Sequence, residues 1–213
     1  RVNQQNNLAY CEEILASNPC GEQMLPAYGA CLLGSINLAR LVPQPFSVHA
    51  ALDEEELSAL TATAIRFLDN VIDVSRYPLP QQEAEARAKR RIGLGVTGLA
   101  DALLFCNVAY GSAGAIALMQ RWLGVIKRAA YRASALLAAE KGAFPLYDPV
   151  ILDRPNLRAL DAVTRALIAE HGLRNGCLTS IAPTGTTSLL AGNVSSGIEP
   201  VFAYSYFRKV RQA

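Results

Sequence analysis

Leu57, Leu60, Ala64, Phe67, Leu68, Val71 and Ile72 recur at helical spacing behind Asp53, and this stretch constrains the fold most. Asp53 is a good N-cap, and Glu54, Glu55 and Glu56 fill the first turn, where acidic groups meet the positive end of the helix dipole. The spacing therefore predicts one long amphipathic helix from Asp53 that ends before Pro78. A charged segment, Gln81 to Arg91, is expected to be helical. A buried helix is expected over Thr97–Asn107, and a long one over Ser112–Lys141 with Gly142 as its stop signal. Asp148–Pro155 reads as a loop and Leu157–His171 as a further amphipathic helix.

The two ends of the chain have a different character. Residues 8–17 read as a short strand, Asn18–Gly34 as a turn-rich loop and Ser35–Val42 as another short strand. From Cys177, CLTSIA reads as a buried strand, followed by the loop APTGTTS and a second strand around Val201–Tyr206. The sum is a helix-rich α/β chain. It forms one partial domain over 1–213, with a loop at about 18–34, a helical segment at about 53–172, and a strand and loop at about 177–206.

Composition narrows the function classes. Hydrophobic residues make up 51% and charged residues 18%, which excludes a disordered chain. A net charge of +2 gives no pull toward nucleic acid or a membrane surface, and no apolar run reaches bilayer length. The polar start and missing initiator Met read as a cut inside a longer polypeptide. Five cysteines, at 11, 20, 31, 106 and 177, form no CxxC pair, so no metal site is expected. An odd count in a chain of this size suggests reduced, cytoplasmic thiols.

The segment Asn18-Pro19-Cys20-Gly21-Glu22 carries the most chemistry. If the chain runs extended there, Asn18, Cys20 and Glu22 share one face, and Gly21 allows close approach. A carboxylate so near opposes thiolate formation, which suits a neutral thiol that loses a hydrogen atom better than an ordinary nucleophile. The alternative is a polar turn around a structural cysteine. The stretch Pro183–Ser188 is open in the same way. Thr184, Gly185, Thr186, Thr187 and Ser188 offer hydroxyls and backbone amides for an anion, or they cap a plain strand–turn–helix junction.

NPCGEQ, followed by LPAYGACLLGSINLARLV, resembles the finger-loop region of ribonucleotide reductase large chains. The resemblance extends from about Asn3 to Arg208. It implies part of a ten-stranded α/β barrel with a central finger loop. It also implies that Cys20 carries a thiyl radical that takes the ribose 3′ hydrogen, that Glu22 takes the 3′-hydroxyl proton, and that Asn18 hydrogen-bonds the substrate. Cys31 matches one member of the redox pair, whose partner lies upstream in the family. Many relatives read SCNLGSINL there, and Leu32 replaces their Asn without moving the cysteine. PTGTTS resembles the family's substrate-phosphate loop, assigning that role to Thr184 through Ser188. Ser195–Ala203 matches a further family segment, and Ser195–Pro200 is given only a structural role.

The Pro-Cys-Gly form of the loop, with PTGTTS, resembles the adenosylcobalamin-dependent class more than the class that uses a separate radical-generating subunit. The implied partners are a ribonucleotide substrate, a thioredoxin-like or dithiol reductant, and the remainder of the reductase chain, and the parent enzyme is allowed to be a homodimer. The 213-residue chain by itself is expected to reduce no ribonucleotide. A nucleotide-binding module without chemistry and a non-catalytic scaffold are the rival readings.

Other features take simpler readings. Gly93-Leu94-Gly95-Val96-Thr97-Gly98 fits GxGxxG, but its preceding residues read as a charged helix and no acid follows near position 118. Cys106 and Cys177 are expected in the core, Cys11 is unassigned, and His49 and His171 are expected at the surface. Tyr204 and Tyr206 are read as structural.

Overall fold

The structure is a computed structural model that describes residues 2–201 together with 203, 205, 207 and 209. In chain order its elements are helix α1 (Val2–Gln5), strands β1 (Ala16–Ser17), β2 (Met24–Leu25) and β3 (Leu32–Asn37), and a 3₁₀ turn at Leu38–Leu41. Helices α2 (Glu54–Val74) and α3 (Pro80–Lys89), strand β4 (Ile92–Thr97), and helices α4 (Leu99–Phe105) and α5 (Ala113–Lys141) follow. A 3₁₀ turn at Pro149–Asp153 precedes α6 (Pro155–Arg158), α7 (Ala162–His171) and α8 (Gly185–Leu190).

The long helices form where the sequence predicts them. Asp53 caps α2 by accepting from the Glu56 amide at 2.9 Å, and Leu57, Ile65, Leu68 and Ile72 turn inward. The buried stripe is narrower than expected, since Phe67 stays 65% exposed. Ser112 caps α5 by accepting from the Ala115 amide, and Gly142 ends it at φ +84. Packing of α2 on α5 builds the helical side of the core around Trp122, Ile126 and Leu137. The expected helix over 157–171 is broken instead. Asp161 accepts from the Thr164 amide at 2.9 Å and starts α7 afresh, so α6 is a separate turn that also takes in part of the expected loop.

The sheet corrects the ends of the sequence reading. Residues 8–11 form turns, and only Ala16–Ser17 of the expected first strand is extended. The second strand starts earlier than expected, at Leu32, and gives way at Leu38 to a 3₁₀ turn capped by Asn37. β3 and β4 run parallel, from Leu32↔Ile92 to Asn37↔Thr97. The glycine-rich stretch 93–98 is thus mostly strand β4, completely buried, and not a phosphate turn. Only Leu99 onward of the helix expected from Thr97 is helical, with Gly98 at φ +67 making the turn between them.

Residues 177–180 lie along the other edge of β4. A parallel bridge joins Leu94 to Thr179, and amides of Ile92 and Leu94 donate to the carbonyls of Cys177 and Leu178. The architecture is helix-rich α/β, as expected; among the described residues β3, β4 and the segment at Thr179 lie side by side and form no closed barrel. The expected strand at 201–206 falls largely outside the described residues, as do Tyr204 and Tyr206.

A buried polar cluster ties α2 to the residues that lead into β4 and into the 177–180 segment. Asp69 on α2, fully buried, accepts from Arg90 at 2.8 Å, Asn175 at 3.0 Å and Arg174 at 3.3 Å. No helix among the described residues is long and apolar enough to cross a membrane.

Candidate active site

β1 and β2 pair antiparallel, Ala16 with Leu25 and Ser17 with Met24, and hold residues 18–23 as a hairpin tip. The tip is not extended. The Gly21 amide donates to the Asn18 carbonyl at 3.1 Å, closing a turn with Pro19 at its second position and Gly21 at φ +81. Proline presets the dihedral that such a corner needs, and this local preference overrides the extended course expected of the segment. Asn18, Cys20 and Glu22 therefore do not line one strand face. They occupy successive corners of one loop.

Each of these side chains has a distinct setting. The Asn18 side-chain oxygen accepts from the Gln23 amide at 3.0 Å, which closes the base of the tip. Its amide group carries the remaining donors. Cys20 is a free, exposed thiol. Glu22 reaches inward, and its Oε2 is buried with no hydrogen-bond partner among the described residues. A buried carboxylate oxygen left unmatched is costly, so such groups mark sites where chemistry or a ligand uses them.

Cys20, Gly21 and Glu22 form one wall of a cavity of about 310 Å³. The opposite wall is Ile181, Ala182 and Pro183 with Ser196–Glu199. The same wall leads directly into Thr184–Ser188, which forms the N-terminal end of α8. Within that loop the hydroxyls divide. Thr184 donates to Thr97 at 2.9 Å, and Ser188 is buried and donates to the Gly185 carbonyl at 2.8 Å. Gly185, Thr186 and Thr187 are exposed. Thr184 and Ser188 thus shape the loop, while Gly185–Thr187 present its open face.

Thr97, which the sequence placed at the start of a buried helix and inside a weak glycine motif, is the last residue of β4 and locks this wall. Its hydroxyl accepts from Thr184 and donates to the Ser195 carbonyl at 2.7 Å. Asp101 accepts from the Ser195 amide. A threonine at the end of an apolar run, followed by glycine, was the available signal.

Cys31 sits directly before β3, outside the cavity that Cys20 lines. Burial, reinforced by the nearby Cys177 and opposed by Arg91, pushes its thiol up to about 12. Arg91 was also missed. Its side chain is almost completely buried, and it donates to both oxygens of Glu12 and to the Cys177 sulfur at 2.9 Å. Two adjacent arginines directly before the apolar run Ile92–Val96 were the sign that at least one must be paired inside. Cys177 packs against the core, as expected, but also beside this guanidinium. Cys106 caps α4 and packs against the core, and Cys11 is half-buried. His49 is exposed and His171 lies partly exposed beside Glu170.

A Cβ on Gly93 would stand 2.6 Å from the Gln23 side-chain nitrogen and 3.0 Å from the Ser180 Cβ, and one on Gly95 would run into the Ser180 carbonyl. These glycines let the hairpin and the 177–182 segment press onto the strand.

Comparison with known proteins bears on this geometry. The whole chain, residues 1–213, matches the family described as ribonucleotide reductase, barrel domain. It is 43% identical over 210 residues to a vitamin B12-dependent ribonucleoside-diphosphate reductase of Mycobacterium tuberculosis (strain CDC 1551 / Oshkosh), covering 98% of this chain and 27% of that protein. A protein of the same name from Thermoplasma acidophilum is 36% identical, over 98% of this chain and 25% of its own length. A ribonucleoside-diphosphate reductase subunit alpha of Chlamydia muridarum is 35% identical, over 93% and 20% respectively. The chain spans about a quarter of the length of the B12-dependent relatives it matches.

Proposed function

The chain belongs to the ribonucleotide reductase barrel-domain family, and we propose that its parent polypeptide reduces ribonucleotides to deoxyribonucleotides by thiyl-radical chemistry at Cys20. The observation that carries this reading is one cavity with the exposed Cys20 thiol and Glu22 on one wall and the approach to Thr184–Ser188 on the other.

In this reading the nucleotide lies between hairpin and loop. Amides and hydroxyls of Thr184 through Ser188 hold its phosphate, with the exposed Gly185–Thr187 stretch making the direct contacts. The ribose then reaches the hairpin tip. Cys20, as a thiyl radical, takes the 3′ hydrogen, and Glu22 takes the 3′-hydroxyl proton. Its buried Oε2, without a hydrogen-bond partner among the described residues, is available for that proton. Asn18 offers its amide hydrogens to the same sugar without titrating.

Cys31 supplies the reducing equivalents together with a second cysteine outside this chain. The pair becomes a disulfide and gives up two electrons and two protons, and the 2′-hydroxyl leaves as water. A Cys31 thiol held protonated by burial is in the form that can give hydrogen. A thioredoxin-like or dithiol reductant then restores the pair.

Adenosylcobalamin is the proposed cofactor, and when bound it supplies the initiating radical. The B12-dependent names of the relatives at 43% and 36% identity support this choice. An exposed thiol at a hairpin tip fits a radical delivered from outside the loop, and Cys20 is the residue assigned to receive it. The proposed setting is the cytoplasm, with the rest of the reductase chain and a homodimeric assembly as partners.

The test is substitution in the full-length protein. Cys20→Ser is expected to abolish reduction, and Cys31→Ser to halt turnover after partial chemistry. Normal multiple turnover by either variant removes the role given to that cysteine.

A further inference from the structure

We infer that Ser180 is a positioning residue that anchors the hairpin tip at Glu22 to the segment carrying the phosphate loop. The inference rests on the roles proposed for Glu22 and Thr184–Ser188. The Ser180 hydroxyl donates to the Glu22 backbone carbonyl at 2.9 Å across 158 residues of sequence. Ser180 is itself held, because its amide donates to the Leu94 carbonyl on β4 at 3.1 Å and it is only 9% exposed.

This contact stands out because the Glu22 side chain leaves Oε2 buried without a partner among the described residues. The carboxylate therefore depends on its backbone for placement. On one side the tip is closed locally by Asn18 accepting from the Gln23 amide. On the other, Ser180 ties the Glu22 carbonyl to β4 through its own strand pairing. Gly93 and Gly95 keep the space that this docking needs, since a Cβ on either would meet Ser180.

The same short segment then runs from Ser180 to Pro183 and into Thr184. One continuous stretch, pinned to β4 at Ser180, thus sets both the base at the sugar and the loop at the phosphate. A fixed distance between those two groups is what a nucleotide of fixed length requires, and loss of such positioning costs rate more than binding.

The experiment uses the full-length reductase with its cofactor, a ribonucleotide and a dithiol, and compares Ser180→Ala and Ser180→Thr with the unaltered protein. Activity is expressed per folded molecule, with the folded fraction taken from thermal melts. Ser180→Ala is expected to lower kcat about tenfold with KM within about twofold, and Ser180→Thr, which keeps the hydroxyl, to restore kcat. An unchanged kcat in Ser180→Ala overturns the inference, as does a Ser180→Thr variant as slow as Ser180→Ala. Cys20→Ser serves as the parallel control. If it turns over normally the radical reading itself fails, whereas its inactivity beside a fully active Ser180→Ala removes only the role of Ser180.

Discussion

One guanidinium nitrogen of Arg91, Nη2, donates to both carboxylate oxygens of Glu12, at 2.7 and 2.8 Å, and both side chains are almost completely buried. Lys89 joins the same carboxylate at 2.9 Å, and Arg91 also reaches Cys177. The pair fixes the segment that follows the turns after α1 to the residue that leads into β4.

Removing one member leaves the other charged and buried. Arg91→Met is expected to destabilise the fold by about 3 kcal/mol, read as a shift in denaturant midpoint. A loss below about 0.5 kcal/mol would show that the pair is dispensable.

The pH dependence of this pair has a definite sign. Burial opposes ionisation of Glu12, but Arg91, Lys89 and Asn6 outweigh it and hold the carboxyl below the usual range. The folded pKa is thus lower than the unfolded one. The stabilisation is complete above the ordinary carboxylate pKa and is lost as pH falls through the folded value. Melting temperatures of the unaltered chain and Glu12→Gln should differ most near neutrality and converge in acid. A constant gap at all pH values would contradict this.

Thr97→Val deletes the hydroxyl that links Thr184 to the Ser195 carbonyl while keeping shape. In the full-length enzyme KM for the nucleotide is expected to rise about tenfold, the order of one or two lost buried hydrogen bonds, with kcat nearly unchanged. An unchanged KM would mean that the loop holds its shape without Thr97.

Cys31 and Cys20 should separate cleanly by alkylation. With its thiol pushed up to about 12, Cys31 carries far less thiolate at pH 8 than an ordinary cysteine, on the order of a thousandfold less. Mass mapping after brief iodoacetamide treatment should find label on exposed Cys20 and none on Cys31. Equal labelling would contradict the raised pKa of the half-buried Cys31 thiol.

Much of the helical scaffold was legible because its signals are local. Asp53, Ser112 and Gly142 cap the helices that their neighbours predict. The hairpin tip was misread because Pro19 and Gly21 favour a corner that alternation along a strand ignores. The β4 glycines looked like a phosphate motif because their true cause, pressure from Gln23 and Ser180, comes from segments far away in sequence. The candidate site divides the same way. Cys20 and Glu22 could be named from one short motif, whereas Ser180, Thr97 and Arg91 act only through partners that folding brings to them.

The central claim is hydrogen abstraction by Cys20, and 3′-tritiated ribonucleotide tests it most directly. With the full-length protein, its cofactor and a dithiol, the unaltered enzyme should discriminate against tritium at the 3′ position and release a small part of it to water, while Cys20→Ser should bind the nucleotide and release none. Tritium release by Cys20→Ser at the unaltered rate would contradict the account.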